Sequence, residues 1–234
     1  MQLFYNPDIN ETTTSFTFDK EESKHIVKVL RKSVGDVLRI TNGKGWLFDA
    51  EITNADIKKC LANINNAKQQ PKRNYKLHLA VAPTKMNDRF EWFLEKATEI
   101  GIDVITPILC DHSERKVIKL DRFEKILQSA MKQSLQCYLP TINELTPFSS
   151  FISQDFKGQK FIAHCEETDR KSLKNLLKQK QDIIILIGPE GDFSVKEIAQ
   201  ALQIGFKPVT LGNTRLRTET AAIAACHSVA FVNE

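Results

Sequence analysis

Two segments near the C-terminus hold the residues of this chain best suited to chemistry. In the first, the apolar run Ile183-Ile184-Ile185-Leu186-Ile187 breaks into Gly188-Pro189-Glu190-Gly191-Asp192-Phe193-Ser194. In the second, Val209-Thr210-Leu211 opens into Gly212-Asn213-Thr214-Arg215-Leu216-Arg217 and then into the Ala-rich stretch Thr218-Glu219-Thr220-Ala221-Ala222. A strand that ends in a Gly-bearing loop leaves backbone N–H and C=O groups unspent. Two such ends side by side suit a small-molecule pocket at the C-terminal edge of a parallel sheet. Either segment alone reads as an ordinary strand-to-helix turn; together, with polar residues so dense in the second loop, they favour a site.

Other chemistries lack their signatures. No GxGxxG follows the first strand of the α/β half, and neither a P-loop nor a GxSxG elbow occurs, so dinucleotide, nucleotide-phosphate and serine-hydrolase sites are disfavoured. Gly43-Lys44-Gly45 is no phosphate loop, because Trp46 and Phe48 continue a strand. The five cysteines (Cys60, Cys110, Cys137, Cys165, Cys226) are scattered and never form CxxC, which points to free thiols in a reducing compartment. His25, His78, His112, His164 and His227 are equally dispersed, so no metal is expected. A net charge of +4 permits an anionic partner without demanding one. No apolar run approaches the roughly 20 residues of a membrane span, and no leader is evident at the start, so a cytoplasmic protein is expected.

The elements that must position the two loops follow from the pattern. At 234 residues the chain holds one large or two small domains. Its first seventy residues alternate as short strands, at Phe16-Thr17-Phe18, Val37 to Ile40, Trp46 to Ile52 and Cys60 to Ile64, with a tight turn at Asn42-Gly43-Lys44-Gly45. One short helix is expected over Glu21 to Lys32, and the set reads as a small β-barrel. Gln69 to Asn74 is a polar, Pro-containing linker, which gives domains of residues 1–70 and 75–234. Beyond it strands alternate with helices. Strands are expected at Leu77 to Val81, Val104 to Leu109, Phe161 to Cys165, Ile183 to Ile187 and Val209 to Leu211. The helices are Asp88 to Ile100, capped by Asn87 or Asp88 and ended by Gly101, then Leu120 to Tyr138, Arg170 to Lys178, Ser194 to Leu202 and Thr218 to Phe231. That alternation specifies an α/β sheet covered on both faces.

Gly188-Pro189-Glu190-Gly191 with Glu197 in the helix that follows, and Leu211-Gly212 with Leu216-Arg217-Thr218-Glu219-Thr220-Ala221, resemble the two C-terminal motifs of the SPOUT class of RNA methyltransferases. More narrowly, almost the whole chain resembles the RsmE-type ribosomal RNA methyltransferases. The further matches are His25-Ile26-Val27-Lys28-Val29-Leu30-Arg31 before Gly35-Asp36, then Lys85, Glu91 and Lys96-Ala97-Thr98-Glu99 before Gly101, and Gln133-Ser134 before Pro140. The resemblance implies a PUA-like β-barrel followed by a SPOUT domain with a trefoil knot at the cofactor site. It implies S-adenosyl-L-methionine as cofactor, N3 of a uridine in 16S rRNA as acceptor, free or in the assembled small ribosomal subunit, and a homodimer. It also implies that His164-Cys165-Glu166, Gly188 to Gly191, and Leu211-Gly212 with Leu216, Arg217, Thr218, Thr220 and Ala221 form three loops around the cofactor. Other readings are a SPOUT enzyme acting on another RNA or base atom, and an RNA-binding assembly factor without catalysis.

N3 of uracil carries a proton at neutral pH, so a base must remove it or the anionic ring must be stabilised. Arg217, beside the cofactor loop, is the candidate for the anion, with an ion pair to Glu219 or Glu190 as its competing role. Glu190 or Glu219 is the candidate base, and each has a competing role in accepting loop N–H bonds or capping the Thr218 helix. RNA phosphates would be met by Lys24, His25, Lys28, Arg31 and Lys32, by Lys85, Arg89, Arg115 and Lys116, and by Arg215. The chain departs from the family pattern at Thr214-Arg215 where Arg-Ile is usual, at Lys132-Gln133-Ser134-Leu135-Gln136 where an acid and an Arg are usual, and at Asp192 where Gly is usual. Lys132 or Arg215 is expected to supply the missing positive charge.

Overall fold

The computed structural model describes residues 2–166 and 169–234. It resolves into two compact units, residues 2–72 with 131–139, and residues 73–130 with 140–234.

In the first unit a curled five-stranded sheet runs in the order β1 (Leu3–Tyr5), β3 (Val37–Thr41), β4 (Trp46–Asn54), β5 (Leu61–Gln69), β2 (Ser15–Thr17). Alternate residues of β3 and β4, among them Leu38, Ile40, Phe48, Ala50 and Ile52, turn inward onto Phe4, Phe18 and Ile26. The expected helix over Glu21 to Lys32 is shorter and in two parts. α1 (Lys20–Lys24), capped by the Asp19 carboxylate on Glu22 N–H, passes into a π-helical turn at His25–Val29. The Leu30 N–H reaches back five residues to the His25 carbonyl, and Arg31 leaves in the left-handed region at φ 54°. Residues 131–139 complete this unit: Gly45 N–H donates to Cys137, Leu139 N–H to Gly43, and the Tyr138 hydroxyl to the Gln70 carbonyl.

The second unit is built on parallel strands. Among the described residues they form an eight-stranded sheet ordered β11 (Lys171–Ser172), β13 (Lys207–Thr210), β10 (Gln159–Ala163), β12 (Ile183–Ile187), β6 (Leu77–Val81), β7 (Val104–Leu109), β8 (Thr141–Ile142), with β9 (Thr146–Pro147) also on β7. Every residue of β12 is buried, as a central parallel strand covered on both faces requires. On one face Ile184 and Leu186 meet Phe148, Phe151 and Ile152 of α4 (Phe148–Ile152) and Ile198 and Ala201 of α6 (Val195–Gln203). On the other, α7 (Thr218–Asn233) lies over β6 and β12 and packs against α2 (Asn87–Ile100).

Several element ends differ from expectation. α2 has no side-chain cap: its N-cap is Met86, and Asn87 and Asp88 lie inside the helix. Gly101 does end it, at φ 112°, where a Cβ would be strained. α3 (Leu120–Gln133) stops five residues before Tyr138. Its end is a Schellman closure, with Gln136 N–H on the Met131 carbonyl, Leu135 N–H on Lys132, and Leu135 itself at φ 58°. The usual glycine is absent from that position, so the stop was hidden. The helix expected over Arg170 to Lys178 is instead the short strand β11 and a single turn, α5 (Leu173–Leu176), because Lys171-Ser172 pair with Val209-Thr210 at the sheet edge.

Candidate active site

Strand register brings the three candidate loops together. β10 lies between β13 and β12, and Ala163 is the rung partner of both Ile187 and Val209. On the next rung His164 and Gly188 leave the sheet beside Thr210, the last residue of β13, which is still paired with Ser172. The loops His164-Cys165-Glu166, Gly188 to Phe193 and Leu211 to Arg217 diverge from that line. A crevice at this edge is where open α/β sheets hold ligands.

The second loop is the most tightly held. Pro189 and Asp192 close a turn through Asp192 N–H on the Pro189 carbonyl at 2.9 Å. Gly188 lies so close to the Phe193 ring that an added Cβ would sit 3.0 Å from it. The Thr218 hydroxyl donates to the Gly188 carbonyl at 3.0 Å, which ties the first turn of α7 to this loop. Glu190 Oε1 accepts the Lys85 N–H at 2.9 Å. Asp192 takes φ 64°, a conformation in which Gly is at home and Asp is tolerated. Its carboxylate accepts Cys165 N–H at 2.6 Å and its neighbour Phe193 N–H at 2.8 Å. The departure from Gly at this position thus latches the first loop to the second. Beyond it Ser194 and Glu197 form a reciprocal capping box on α6.

The third loop ends in exposed cations. Arg215 and Arg217 are exposed, and among the described residues neither makes an ion pair. The pairing of Arg217 with Glu219 or Glu190, one of its two expected roles, is therefore not made. Arg217 serves α7 only through its backbone, accepting Ala221 N–H at 2.8 Å. Glu219 does not cap the helix either. It is buried, lies 3.9 Å from Arg89 Nε, and leaves Oε2 without a hydrogen bond. Leu211, Leu216 and Ala221 are half-buried, and Gly212 and Thr220 are exposed.

Residues of two further loops brace the same edge, among them Thr84, Asp111 and Glu114, which the sequence did not single out. The loops after β6 and β7 interlock: Arg115 Nε donates to the Thr84 carbonyl at 2.9 Å and Nη2 to that of Lys85, while Lys85 Nζ meets Glu114 at 2.8 Å. Asp111 accepts the Ser194 hydroxyl at 2.6 Å, and His112 faces the carbonyls of Gly191 and Asp192 at 3.1 Å. Their position just past a parallel strand was the available signal. Arg115 and Lys85, expected on RNA, are thus partly spent on loop structure. Lys116 is exposed and without a partner among the described residues, as are Lys24, Lys28 and Arg31 of the first unit. His25 pairs with Glu22 at 3.3 Å and Lys32 with Asp36 at 3.6 Å. Lys132 faces Glu22 at 3.7 Å. No cluster of three or more potential metal ligands occurs among the described residues.

A three-loop edge on a parallel α/β unit, carried in the same chain as a curled β unit, fits the class of RNA methyltransferases. The RNA methyltransferase domain family matches residues 70–230, and the RNA methyltransferase PUA domain family matches residues 18–65. The chain is 33% identical to the ribosomal RNA small subunit methyltransferase E of Buchnera aphidicola, over 93% of this chain and 87% of that one. The crystal structure of a probable rRNA-methyltransferase from Porphyromonas gingivalis superposes with a TM-score of 0.93 at 42% identity, covering 100% of this chain and 98% of that one. A ribosomal RNA small subunit methyltransferase E from Neisseria gonorrhoeae, bound to S-adenosyl methionine, superposes at 0.87 with 25% identity over 100% and 98% of the two chains. The chain belongs to the ribosomal RNA small subunit methyltransferase E family. The expected fold class, a PUA-like unit before a SPOUT-type parallel sheet with helices on both faces, is borne out.

Proposed function

We propose that this protein uses S-adenosyl-L-methionine to methylate N3 of a uridine in 16S rRNA, acting in the cytoplasm as a homodimer with a trefoil knot at the cofactor site. The observation that carries the reading is the common rung of His164, Gly188 and Thr210, from which the three loops diverge, the third ending in Arg217, which makes no ion pair among the described residues. The named relatives, one of them bound to S-adenosyl methionine, support it.

The residues present fit that cofactor. The backbone groups of Gly188 to Gly191 and Leu211-Gly212 can hold an adenosyl group, and among the described residues the buried His164 ring nitrogens have no hydrogen-bond partner. Cys165, Glu166, Leu216, Thr218, Thr220 and Ala221 complete the loops. When bound, S-adenosylmethionine supplies an electrophilic methyl group. The protein's own task is positioning and charge.

Glu190 suits the removal of the N3 proton better than Glu219. Its Oε1 is fixed by Lys85 N–H, it is half-exposed, and Oε2 has no partner among the described residues. Glu219 is sealed and faces Arg89, which it holds near the first turn of α2. Arg217 meets the uracil oxygens as the ring loses its proton, a role open to it because no carboxylate among the described residues neutralises it. Lys24, Lys28, Arg31, Lys116 and Arg215 meet phosphates, and the target uridine leaves its stack to reach the pocket.

A dimer is supported by α7. That helix is apolar along most of its length, yet it presents Phe231, 70% exposed, with the exposed His227 ring stacked on it. A helix apolar all round is a buried helix, and a second copy would bury this one. The test of function is mass mapping of 16S rRNA from cells lacking this protein. One N3-methyluridine should disappear and return on complementation; an unchanged map would overturn the reading.

A further inference from the structure

The backbone around Glu190 is held from both sides. Asp192 N–H closes the turn onto the Pro189 carbonyl at 2.9 Å, and His112 faces the Gly191 and Asp192 carbonyls at 3.1 Å. The side chain of Glu190 is held by something else. Among the described residues its hydrogen bond is to Lys85 N–H, at 2.9 Å. The place of that carboxylate is therefore set by the peptide group that donates to it.

That peptide group joins Thr84 to Lys85, and its other end is taken as well. The Thr84 carbonyl accepts Arg115 Nε at 2.9 Å, and the Lys85 carbonyl accepts Nη2 of the same guanidinium. One planar peptide thus lies between a cation and a carboxylate, its C=O facing Arg115 and its N–H facing Glu190. A cation at the carbonyl end polarises the unit and strengthens the N–H donor at the far end. The rest of the turn is tied down too. Thr84 is buried and its hydroxyl donates to the Met86 carbonyl at 2.7 Å, while Lys85 Nζ meets Glu114 at 2.8 Å. The choice of arginine is specific, because its rigid fork of donors reaches two successive carbonyls at once. A lysine ammonium carries the charge without that geometry.

We propose that Arg115 is a positioning residue for the methyl-transfer step, acting on Glu190 through the peptide between Thr84 and Lys85. The assignment rests on the reading of Glu190 as acceptor of the N3 proton and deepens it. It also takes Arg115 off the phosphate contacts expected of it, since its described bonds go to two loop carbonyls.

The experiment is single-turnover methylation of small ribosomal subunits at saturating S-adenosylmethionine, with the subunit concentration varied. It compares wild type, Arg115→Ala, Arg115→Lys, Glu190→Gln and the two double variants. Both Arg115 variants should lower the saturated rate by about tenfold or more and leave the half-saturating subunit concentration unchanged. In the Glu190→Gln background the same changes should cost no more than about twofold, because the group they act on is gone. Arg115→Lys keeps the charge in place, so it carries the test if Arg115→Ala does not fold. A wild-type rate in Arg115→Lys, or a cost in Arg115→Ala that falls on half-saturation alone, would mark a phosphate contact and overturn the assignment. Equal losses in both backgrounds would overturn it as well and leave Glu190 as the base. Full activity in Glu190→Gln would overturn the reading of the base and this assignment with it.

Discussion

At the scale of single residues, the structure separates groups that share a motif. Arg217 and Glu219 are two positions apart, yet one is exposed and without an ion pair among the described residues while the other is buried against Arg89. The Leu-Arg-Thr-Glu-Thr spelling marked both as candidates; only their surroundings divide the roles. Replacing Arg217 by Ala is expected to leave cofactor affinity intact and to slow methyl transfer by about a hundredfold or more, the scale of one lost electrostatic contact in a transition state. Isothermal titration beside single-turnover kinetics checks both halves, and unchanged turnover removes Arg217 from the mechanism. Glu190→Gln is a sharper probe than Ala, because the Gln carbonyl oxygen can still accept Lys85 N–H. Loss of a general base there should cost about a hundredfold in turnover with melting temperature preserved. Full activity in Glu190→Gln would return the choice of base to Glu219. Asp192 could be read in the sequence as a departure but not as a latch, since its partner Cys165 lies 27 positions away.

At the scale of elements, the long apolar strands were legible because burial on both faces leaves an unbroken run such as Ile183 to Ile187. Ends were less legible wherever an unusual residue did the work of a usual one. Leu135 closes α3 in a conformation that Gly normally takes, and Met86 rather than Asn87 or Asp88 stands at the start of α2. The π-helical turn at His25–Val29 carries no compositional mark at all, and it changes the spacing of Lys24, Lys28 and Arg31 around the axis. One element-level property concerns pH. His78, on β6, is packed against Phe151 and Phe156, and its Nε2 meets the Thr106 hydroxyl at 2.7 Å. Burial, reinforced by Lys76, pulls its pKa down from 6.5 to about 4. The unfolded chain takes up the proton as pH falls through 6.5, and the folded chain resists until about 4. Stability contributed by the neutral ring is thus complete above 6.5 and is lost across that window, by about 3 kcal/mol in all. Denaturant unfolding at pH 7 and pH 5 should show a shallower acid loss in His78→Asn than in the wild type; equal losses would contradict the account.

At the scale of the whole molecule, the order of a curled β unit before a parallel α/β unit was visible from the change of periodicity near residue 70. That residues 131–139 return to the first unit was not, because they lie far along the chain and their ties to Gly43, Gly45 and Gln70 are mostly backbone bonds. Backbone partners leave little trace in side-chain pattern. The apolar surface of α7 belongs to this scale too. Phe231→Glu should shift sedimentation from dimer to monomer and abolish methyl transfer, whereas a fully active monomer would contradict the proposed assembly. The central claim, methylation of a uridine in small-subunit rRNA at N3, is tested most directly with purified protein, small ribosomal subunits and S-adenosylmethionine carrying a deuterated methyl group. Mass spectrometry of the digested 16S rRNA should find the label in a single N3-methyluridine, and no label, or label in any other nucleoside, would contradict it.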